Sequence, residues 1–194
     1  MAMEHVNRKG DTYYLQQGTT KTGKPRYYFG RKLKAAPLDA LPEGYEVYES
    51  PETGQVYARK AVPTEISPAE RRMVEEAVAT QAGLKHAIVD VQRNSLVVYL
   101  PGTNADALGG LTETLGVPQS VVAKLRDELT RRAYYEKMLR FDLVDAAGRW
   151  YVAQRWCFLG SIEDWIFLDG PAPLADLLDK FAKHLGKESF YELI

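Results

Sequence analysis

The chain has 194 residues, 45% of them hydrophobic and 26% charged, an ordinary composition for one globular domain or two small ones. Its formal net charge of −1 excludes a generic polyanion-binding protein, so any nucleic-acid contact would need a local basic patch. A single cysteine, Cys157, excludes an internal disulfide. The polar N-terminus and the lack of an apolar run of roughly 18 residues predict a cytoplasmic protein without a membrane partner.

The first third of the chain predicts two β-hairpins. TYYLQQ and RYYFGRK are rich in aromatic residues and flank the glycine-containing stretch GTTKTGK, which predicts a hairpin between Asp11 and Lys34. After a loop with two prolines, YEVYES and QVYARK predict a second hairpin. Pro51 presets its own φ angle and Gly54 accepts a positive φ angle, so the stretch between these strands favours a turn.

A helix and a third hairpin follow. Ser67, Pro68 and Glu70 form a capping box with proline at the first helical position, and Gly83 ends the predicted helix. HAIVDVQ and SLVVYLP then predict two strands that pair around Arg93 and Asn94.

Two further helices and two strands are predicted in the remainder. Pro118 opens a long helix, PQSVVAKLRDELTRRAYYEKML, whose apolar inner stripe comprises Val121, Val122, Leu125, Leu129 and Ala133. LRFDLVD and RWYVAQRWCFL predict strands, and SIEDWIFLDG predicts a short irregular piece. PLADLLDKFAKHLG predicts a final helix with Pro173 near its start.

Strands that come as hairpins, rather than alternating with helices, predict an α+β fold with antiparallel hairpins and three helices. We predict a small basic and aromatic β-hairpin unit at 1–62, packed on a larger α+β unit at 63–194. The joint is expected near Pro63 and Thr64.

GTTKTGKP resembles the start of a phosphate-binding loop, G-x-x-x-x-G-K, but Pro25 stands where the motif needs serine or threonine. Proline removes both the hydroxyl group and a backbone N–H group, and it disfavours helical geometry at Lys24. We therefore predict a basic hairpin tip followed by a strand, and no nucleotide cofactor.

The first hairpin is instead a candidate nucleic-acid contact, because basic side chains neutralise phosphates and aromatic rings stack on bases. Alternation places Tyr27 and Phe29 on one face and Arg26 and Tyr28 on the other. A solvated basic edge and an acidic protein partner are the alternatives. Acidic residues of the second hairpin, from Glu43 to Glu52, could cancel the patch. The candidate residues are Lys21, Lys24, Arg26, Arg31, Lys32, Tyr14 and Tyr28.

A second basic group lies on the predicted long helix and comprises Lys124, Arg126, Arg131, Arg132, Lys137 and Arg140. Glu128 stands four residues from Lys124 and from Arg132, and Glu136 stands four before Arg140. This spacing is typical of ion pairs on a helix surface, so we expect a solvated, self-paired face.

The sequence predicts no catalytic residue and no metal ligand, because its three histidines lie far apart and HExxH, CxxC and GxSxG motifs are missing. The best alternative is a metal-dependent enzyme that uses an acidic cluster at 163–169. Ser161 and Asp164 favour a capping role there instead. We expect the tryptophans Trp150, Trp156 and Trp165 to pack in the core of the larger unit.

TYYLQQGTTKTGKPRYYFGRK and PEGYEVYESPETGQVYARK resemble the opening of a group of uncharacterised bacterial proteins, over about residues 11–60. The resemblance implies that the front hairpins form a unit and that the bacterial cytoplasm is the setting, and it supplies no catalytic residues. We expect a non-enzymatic binding protein that contacts nucleic acid or an acidic partner. A structural subunit of a larger assembly is a further alternative.

Overall fold

The structure, a computed structural model, describes residues 2–102, 118–159 and 162–193. Within these ranges the chain forms eleven strands, in antiparallel sheets, and three α-helices, which confirms the predicted α+β fold. The chain divides into two compact units: Met1–Ala61 with Thr103–Tyr134, and Val62–Gly102 with Tyr135–Ile194.

The first unit is built from the two predicted hairpins, and both are confirmed. Its first sheet contains β1 (Glu4–Val6), β2 (Thr12–Thr19), β3 (Pro25–Gly30) and β4 (Ala36–Pro37). Strand β2 is central, because β3 pairs with one edge and the short strands β1 and β4 pair with the other. The second hairpin pairs β5 (Tyr45–Glu49) with β6 (Val56–Lys60).

A small apolar core joins the two hairpins. Its buried members are Tyr13, Leu15 and Phe29 of the first sheet and Val56 of the second hairpin. Tyr27 extends this contact, since its ring meets that of Tyr45 edge-on, with the ring centres 5.1 Å apart. The second hairpin therefore covers one face of the first sheet and leaves the other face uncovered by it.

The second unit is an antiparallel five-stranded sheet with helices. Its strands are β7 (Ile88–Gln92), β8 (Ser95–Pro101), β9 (Tyr135–Asp145), β10 (Trp150–Leu159) and β11 (Ile162–Pro173), in the order β11-β10-β9-β8-β7. Helices α1 (Pro68–Gln81) and α3 (Leu174–Phe181) contribute Val74, Val78, Leu177 and Leu178 to the core. Two short 3-10 helices follow α3, at Ala182–His184 and Glu188–Phe190.

The capping box at the start of α1 is confirmed. The Ser67 hydroxyl accepts from the Glu70 N–H, and the Glu70 carboxylate accepts from the Ser67 N–H at 2.8 Å. Arg149 also forms an ion pair with Glu70, and the Tyr151 hydroxyl donates to Glu70 at 2.7 Å. This cluster fixes the first turn of α1 to the turn between β9 and β10.

The long helix predicted from Pro118 is wrong in its second half. Helix α2 spans Gln119–Arg132, and β9 begins at Tyr135. Ala133 already has an extended ψ angle of 155°, and Tyr135 pairs with Pro101 of β8. Pairing between distant strands thus outweighs the helical pattern of the local sequence.

The apolar stripe predicted for the inner side of that helix is also wrong. Val121 is 51% exposed, Leu125 48% and Leu129 38%, whereas Thr130 is the buried residue of the helix. The expected ion pair between Glu136 and Arg140 cannot form on a helix, because both residues lie in β9. Arg140 pairs with Asp142 instead, at 3.0 Å.

SIEDWIFLDG was predicted to be irregular, but from Ile162 onwards it belongs to β11, the longest described strand. It pairs along β10, with Trp165 opposite Trp156. A register shift near Ala153 and the adjacent acidic residues Glu163 and Asp164 hide the alternation that marks an ordinary strand. Ser161, with its predicted capping role, lies outside the described residues.

The tryptophans do not form the core, which corrects the sequence-based expectation. Trp150 is 41% exposed, and Trp156 and Trp165 are half-buried with their ring centres 5.1 Å apart. Trp156 alternates with Arg155 and Cys157, both of which are buried, so its ring lies on the opposite sheet face. Cys157 itself is 2% exposed and packs as a small apolar residue.

Candidate nucleic-acid interface

The stretch that resembles a phosphate-binding loop forms the tip of the first hairpin. The Thr20 N–H donates to the Lys24 carbonyl at 2.8 Å, and the Lys24 N–H donates to the Thr20 hydroxyl at 3.0 Å. Gly23 closes the turn with a φ angle of +79°, a conformation that favours glycine. Strand β3 starts at Pro25, so the predicted extended chain is confirmed and no helix follows the lysine.

The two faces of the first hairpin have different roles, as the alternation predicted. Phe29 lies in the small core and Tyr27 contacts Tyr45, both on the face that the second hairpin covers. Strand register places the opposite set of residues on the other face, which we call the outward face. It carries Tyr14, Gln16, Gly18, Arg26, Tyr28 and Gly30.

The chain crosses the outward face over Gln16. The Gln16 amide nitrogen donates to the Lys32 carbonyl at 2.8 Å, and its amide oxygen accepts from the Lys34 and Ala35 N–H groups at 2.6 and 2.9 Å. Residues 31–35, which we call the crossing segment, lead from the end of β3 to β4 on the opposite edge of β2. Gln16 is consequently 0% exposed, although it does not face the apolar core.

Tyr28 lies beside two glycines of the outward face. A Cβ atom at Gly18 would stand 3.3 Å from Cε1 of the Tyr28 ring, and one at Gly30 would stand 3.8 Å from Cε2. The guanidinium carbon of Arg26 lies 5.8 Å from the centre of the same ring. Arg26 and Tyr28 therefore form an aromatic and basic pair, and the lack of a side chain at Gly18 leaves room for the ring.

Most of the predicted basic residues keep their charges unpaired. The side chains of Lys21, Lys24, Arg26 and Lys32 are exposed, and none forms an ion pair with another described residue. Arg31 differs, since its guanidinium lies 2.7 Å from the Asp11 carboxylate. A hydrogen bond with the Tyr13 hydroxyl, together with the Asp11 charge, raises the pKa of Arg31.

The acidic residues of the second hairpin do not pair with these free charges. Glu46 pairs with Arg59 of its own hairpin at 2.7 Å, and Glu49 pairs with Arg8 at 3.2 Å and contacts His5 at 3.6 Å. Because the second hairpin packs on the opposite face of the first sheet, these carboxylates lie behind the outward face. The basic patch is therefore not cancelled by Glu46 or Glu49.

Four residues of this interface were missed by the sequence analysis. Gln16 fixes the crossing segment, Gly18 makes room for the Tyr28 ring, Gly30 makes room for the Gln16 amide, and Lys34 adds an exposed cation to residues 31–35. A polar glutamine at the centre of a strand that begins with aromatic and apolar residues was a usable signal. The two glycines on the same face were another, since glycine in a strand marks a close approach of other atoms.

The second basic group is divided between two elements. On α2, Arg132 pairs with Glu128 at 2.7 Å, which confirms the predicted i,i+4 spacing. The hydrogen bond with Arg132 lowers the pKa of Glu128. Lys137 and Arg140 belong to β9 and lie over the rings of Trp156 and Trp165.

The acidic cluster proposed at 163–169 does not converge. Asp169 pairs with Lys180 at 2.6 Å, and Asp164 accepts from the adjacent Trp165 N–H. Asp142, the nearby strand carboxylate, accepts from the Ser95 hydroxyl at 2.6 Å. In residues 2–102, 118–159 and 162–193, no three His, Cys, Asp or Glu side chains lie close enough to hold a metal ion.

Comparison of the chain with protein-family models, with curated proteins and with solved structures gave no match. The helices of the described residues are all too short or too polar to cross a membrane.

Proposed function

We propose that this chain is a non-enzymatic binding protein of the bacterial cytoplasm that contacts nucleic acid through its first hairpin. The observation that carries the proposal is the set of exposed cations without carboxylate partners among the described residues. Lys21 and Lys24 lie at the hairpin tip, Arg26 lies on the outward face and Lys32 lies on the segment that crosses it.

Unpaired cations on one surface favour a polyanionic partner. Each cation that neutralises a phosphate releases a condensed counterion, which makes such binding strongly dependent on salt concentration. A half-buried Tyr28 next to Arg26 adds a ring on which a base can stack. Because the overall charge is −1, a contact with nucleic acid needs a local basic surface of this kind.

The test compares two triple variants in an electrophoretic shift assay with labelled single-stranded DNA and RNA at low salt. Replacing Lys21, Lys24 and Arg26 with alanine is expected to weaken binding at least tenfold, since three phosphate contacts are lost. The control replaces Arg72, Lys85 and Lys183, three exposed cations of the second unit, and changes the net charge equally. Equal loss of binding in both variants would contradict the proposal.

The same protein sample also tests the alternative that the surface binds an acidic protein instead of nucleic acid. Binding of poly-glutamate that needs Lys21, Lys24 and Arg26, without binding of DNA or RNA, would assign the surface to acidic proteins. Binding of poly-glutamate and of nucleic acid in proportion to their charge would indicate electrostatic attraction without recognition of nucleic acid.

The exposed apolar residues of α2 favour membership in a larger assembly as a second function. Val121, Leu125 and Leu129 recur at helical spacing and are all exposed in the described chain. Light scattering after size-exclusion chromatography tests this function. An oligomer that dissociates when Leu125 and Leu129 become serine supports it, and a monomer at all concentrations contradicts it.

A further inference from the structure

We infer, on the basis of the proposed function, that the outward face binds single-stranded nucleic acid in preference to duplex. One unpaired base stacks on the ring of Tyr28, between the cations of Arg26 and of the crossing segment.

The ring of Tyr28 lies along the sheet. Its Cε1 atom is 3.3 Å from the Cβ position of Gly18, and its Cε2 atom is 3.8 Å from that of Gly30. The ring therefore lies between the two glycine positions of the outward face. The Tyr28 side chain is half-buried, so part of its ring stays accessible beside the two strands.

Cations lie on both sides of this ring along the sheet. Arg26 stands two residues towards the hairpin tip, with its guanidinium carbon over the ring and 5.8 Å from the ring centre. The crossing segment lies on the other side, over Gln16, and carries the exposed Lys32 and Lys34. A base that stacks on the ring therefore has cations on both sides. These cations can neutralise the phosphates that flank the base.

This arrangement favours a single strand for a physical reason. The bases of a duplex stack on one another, so their faces are not available to Tyr28, and the duplex offers only phosphates and groove edges. Stacking of one base on an aromatic side chain contributes a gain in affinity of about fivefold to more than a hundredfold. Tyr14 lies on the far side of Gln16 and the crossing segment, so we infer one stacked base rather than two.

The test uses the full chain and fluorescence anisotropy at fixed salt. The probes are a labelled strand of about 12 nucleotides, the same strand annealed to its complement, and linear polyphosphate as a polyanion without bases. The single strand is expected to bind at least tenfold more tightly than the duplex. Tyr28→Leu should remove about tenfold in affinity for the single strand while leaving duplex and polyphosphate binding unchanged.

Three further variants separate stacking from folding. Tyr28→Phe keeps the ring and should bind like the unmodified chain. Tyr57→Leu removes an exposed tyrosine of the second hairpin and should change nothing. Gly18→Ala places a Cβ atom against the ring and should weaken single-strand binding alone, with an unchanged thermal midpoint.

The outcomes separate this inference from the proposed function. Equal affinity for single strand and duplex, or an equal loss on both with Tyr28→Leu, overturns the inference and leaves the proposed function standing. Failure of the chain to bind either form of DNA or polyphosphate overturns the proposed function and the inference together.

Discussion

Both sheets of this protein have a face that combines aromatic rings with cations, but the cations are used differently. On the five-stranded sheet, Lys137 Nζ lies 3.6 Å from the centre of the Trp156 ring, and Arg140 lies 4.5 Å from that of Trp165. Arg140 also pairs with Asp142 and donates to the Gln154 amide oxygen. On the first sheet, by contrast, the exposed lysines have no carboxylate partner among the described residues.

This difference in how the cations are paired shows that basic and aromatic composition does not by itself indicate a binding surface. Cations that are already satisfied by rings and carboxylates contribute to stability, whereas cations without partners are available to a ligand. Substitutions on the two faces should therefore affect different measurements.

Gln16→Ala should have the largest effect, because it removes the amide that fixes residues 31–35 to β2. The loss leaves the Lys34 and Ala35 N–H groups without their acceptor and should lower the free energy of unfolding by about 2–3 kcal/mol. Binding of single-stranded DNA should also weaken, since Lys32 is no longer held over the outward face. Gln17→Ala, at an exposed neighbouring position, should change neither urea unfolding nor binding.

Glu70→Gln should affect stability without affecting binding. Burial raises the pKa of Glu70, but hydrogen bonds from Arg149, Ser67 and Tyr151 outweigh it and lower the pKa to about 2. The substitution should cost about 2 kcal/mol at neutral pH, whereas Glu75→Gln, at an exposed ion pair, should cost less than about 0.5 kcal/mol. Urea unfolding at pH 7 measures both.

The same carboxylate predicts a pH dependence. Because its pKa in the folded protein lies below the ordinary value of 4.5, its stabilisation is complete above that value and is lost as the pH falls towards 2. Glu70→Gln should flatten the decline in the free energy of unfolding between pH 4.5 and pH 2. An unchanged decline would show that Glu70 does not contribute in this way.

Arg140→Met tests the face of the five-stranded sheet on which the cations already contact aromatic rings and a carboxylate. It removes the pair with Asp142 and the contact with Trp165, and should lower the free energy of unfolding by about 1–2 kcal/mol. Nucleic-acid affinity should stay the same, as it should in the control Arg126→Met on the exposed surface of α2. A loss of affinity as large as that caused by a substitution of a cation in the first hairpin would contradict the difference between the two faces.

Lys24→Ala should have the smallest effect on stability and a measurable effect on binding. Its side chain is exposed at the hairpin tip and has no described carboxylate partner, so the thermal midpoint should not move. The affinity for single-stranded DNA should fall a few-fold, as expected for one phosphate contact. Lys60→Ala, an exposed lysine of the same unit, is the control and should leave the affinity unchanged.

Local sequence signals predicted the hairpins and the start of α1 because the deciding residues lie close together in the chain. Gly54 has the positive φ angle expected in its turn, and Ser67 caps α1 as predicted. Alternation likewise predicted the two faces of β3. Each of these features depends on residues within a few positions of one another.

The errors share a different cause, namely pairing between distant strands. Tyr135 enters a strand because Pro101 lies opposite it, and β11 forms because β10 supplies a partner along its length. The crossing segment could not be predicted either, because its hydrogen bonds join Gln16 to residues 16 to 19 positions further along the chain. Only the folded chain shows which charges remain unpaired.

The most direct test of the central claim is the salt dependence of single-strand binding for the unmodified chain and for the variant without Lys21, Lys24 and Arg26. The slope of log affinity against log salt should be smaller in magnitude by about 2 in the variant, because three phosphate contacts are lost at roughly 0.7 each. Identical slopes for the two proteins would contradict the claim that Lys21, Lys24 and Arg26 of the first hairpin bind nucleic acid.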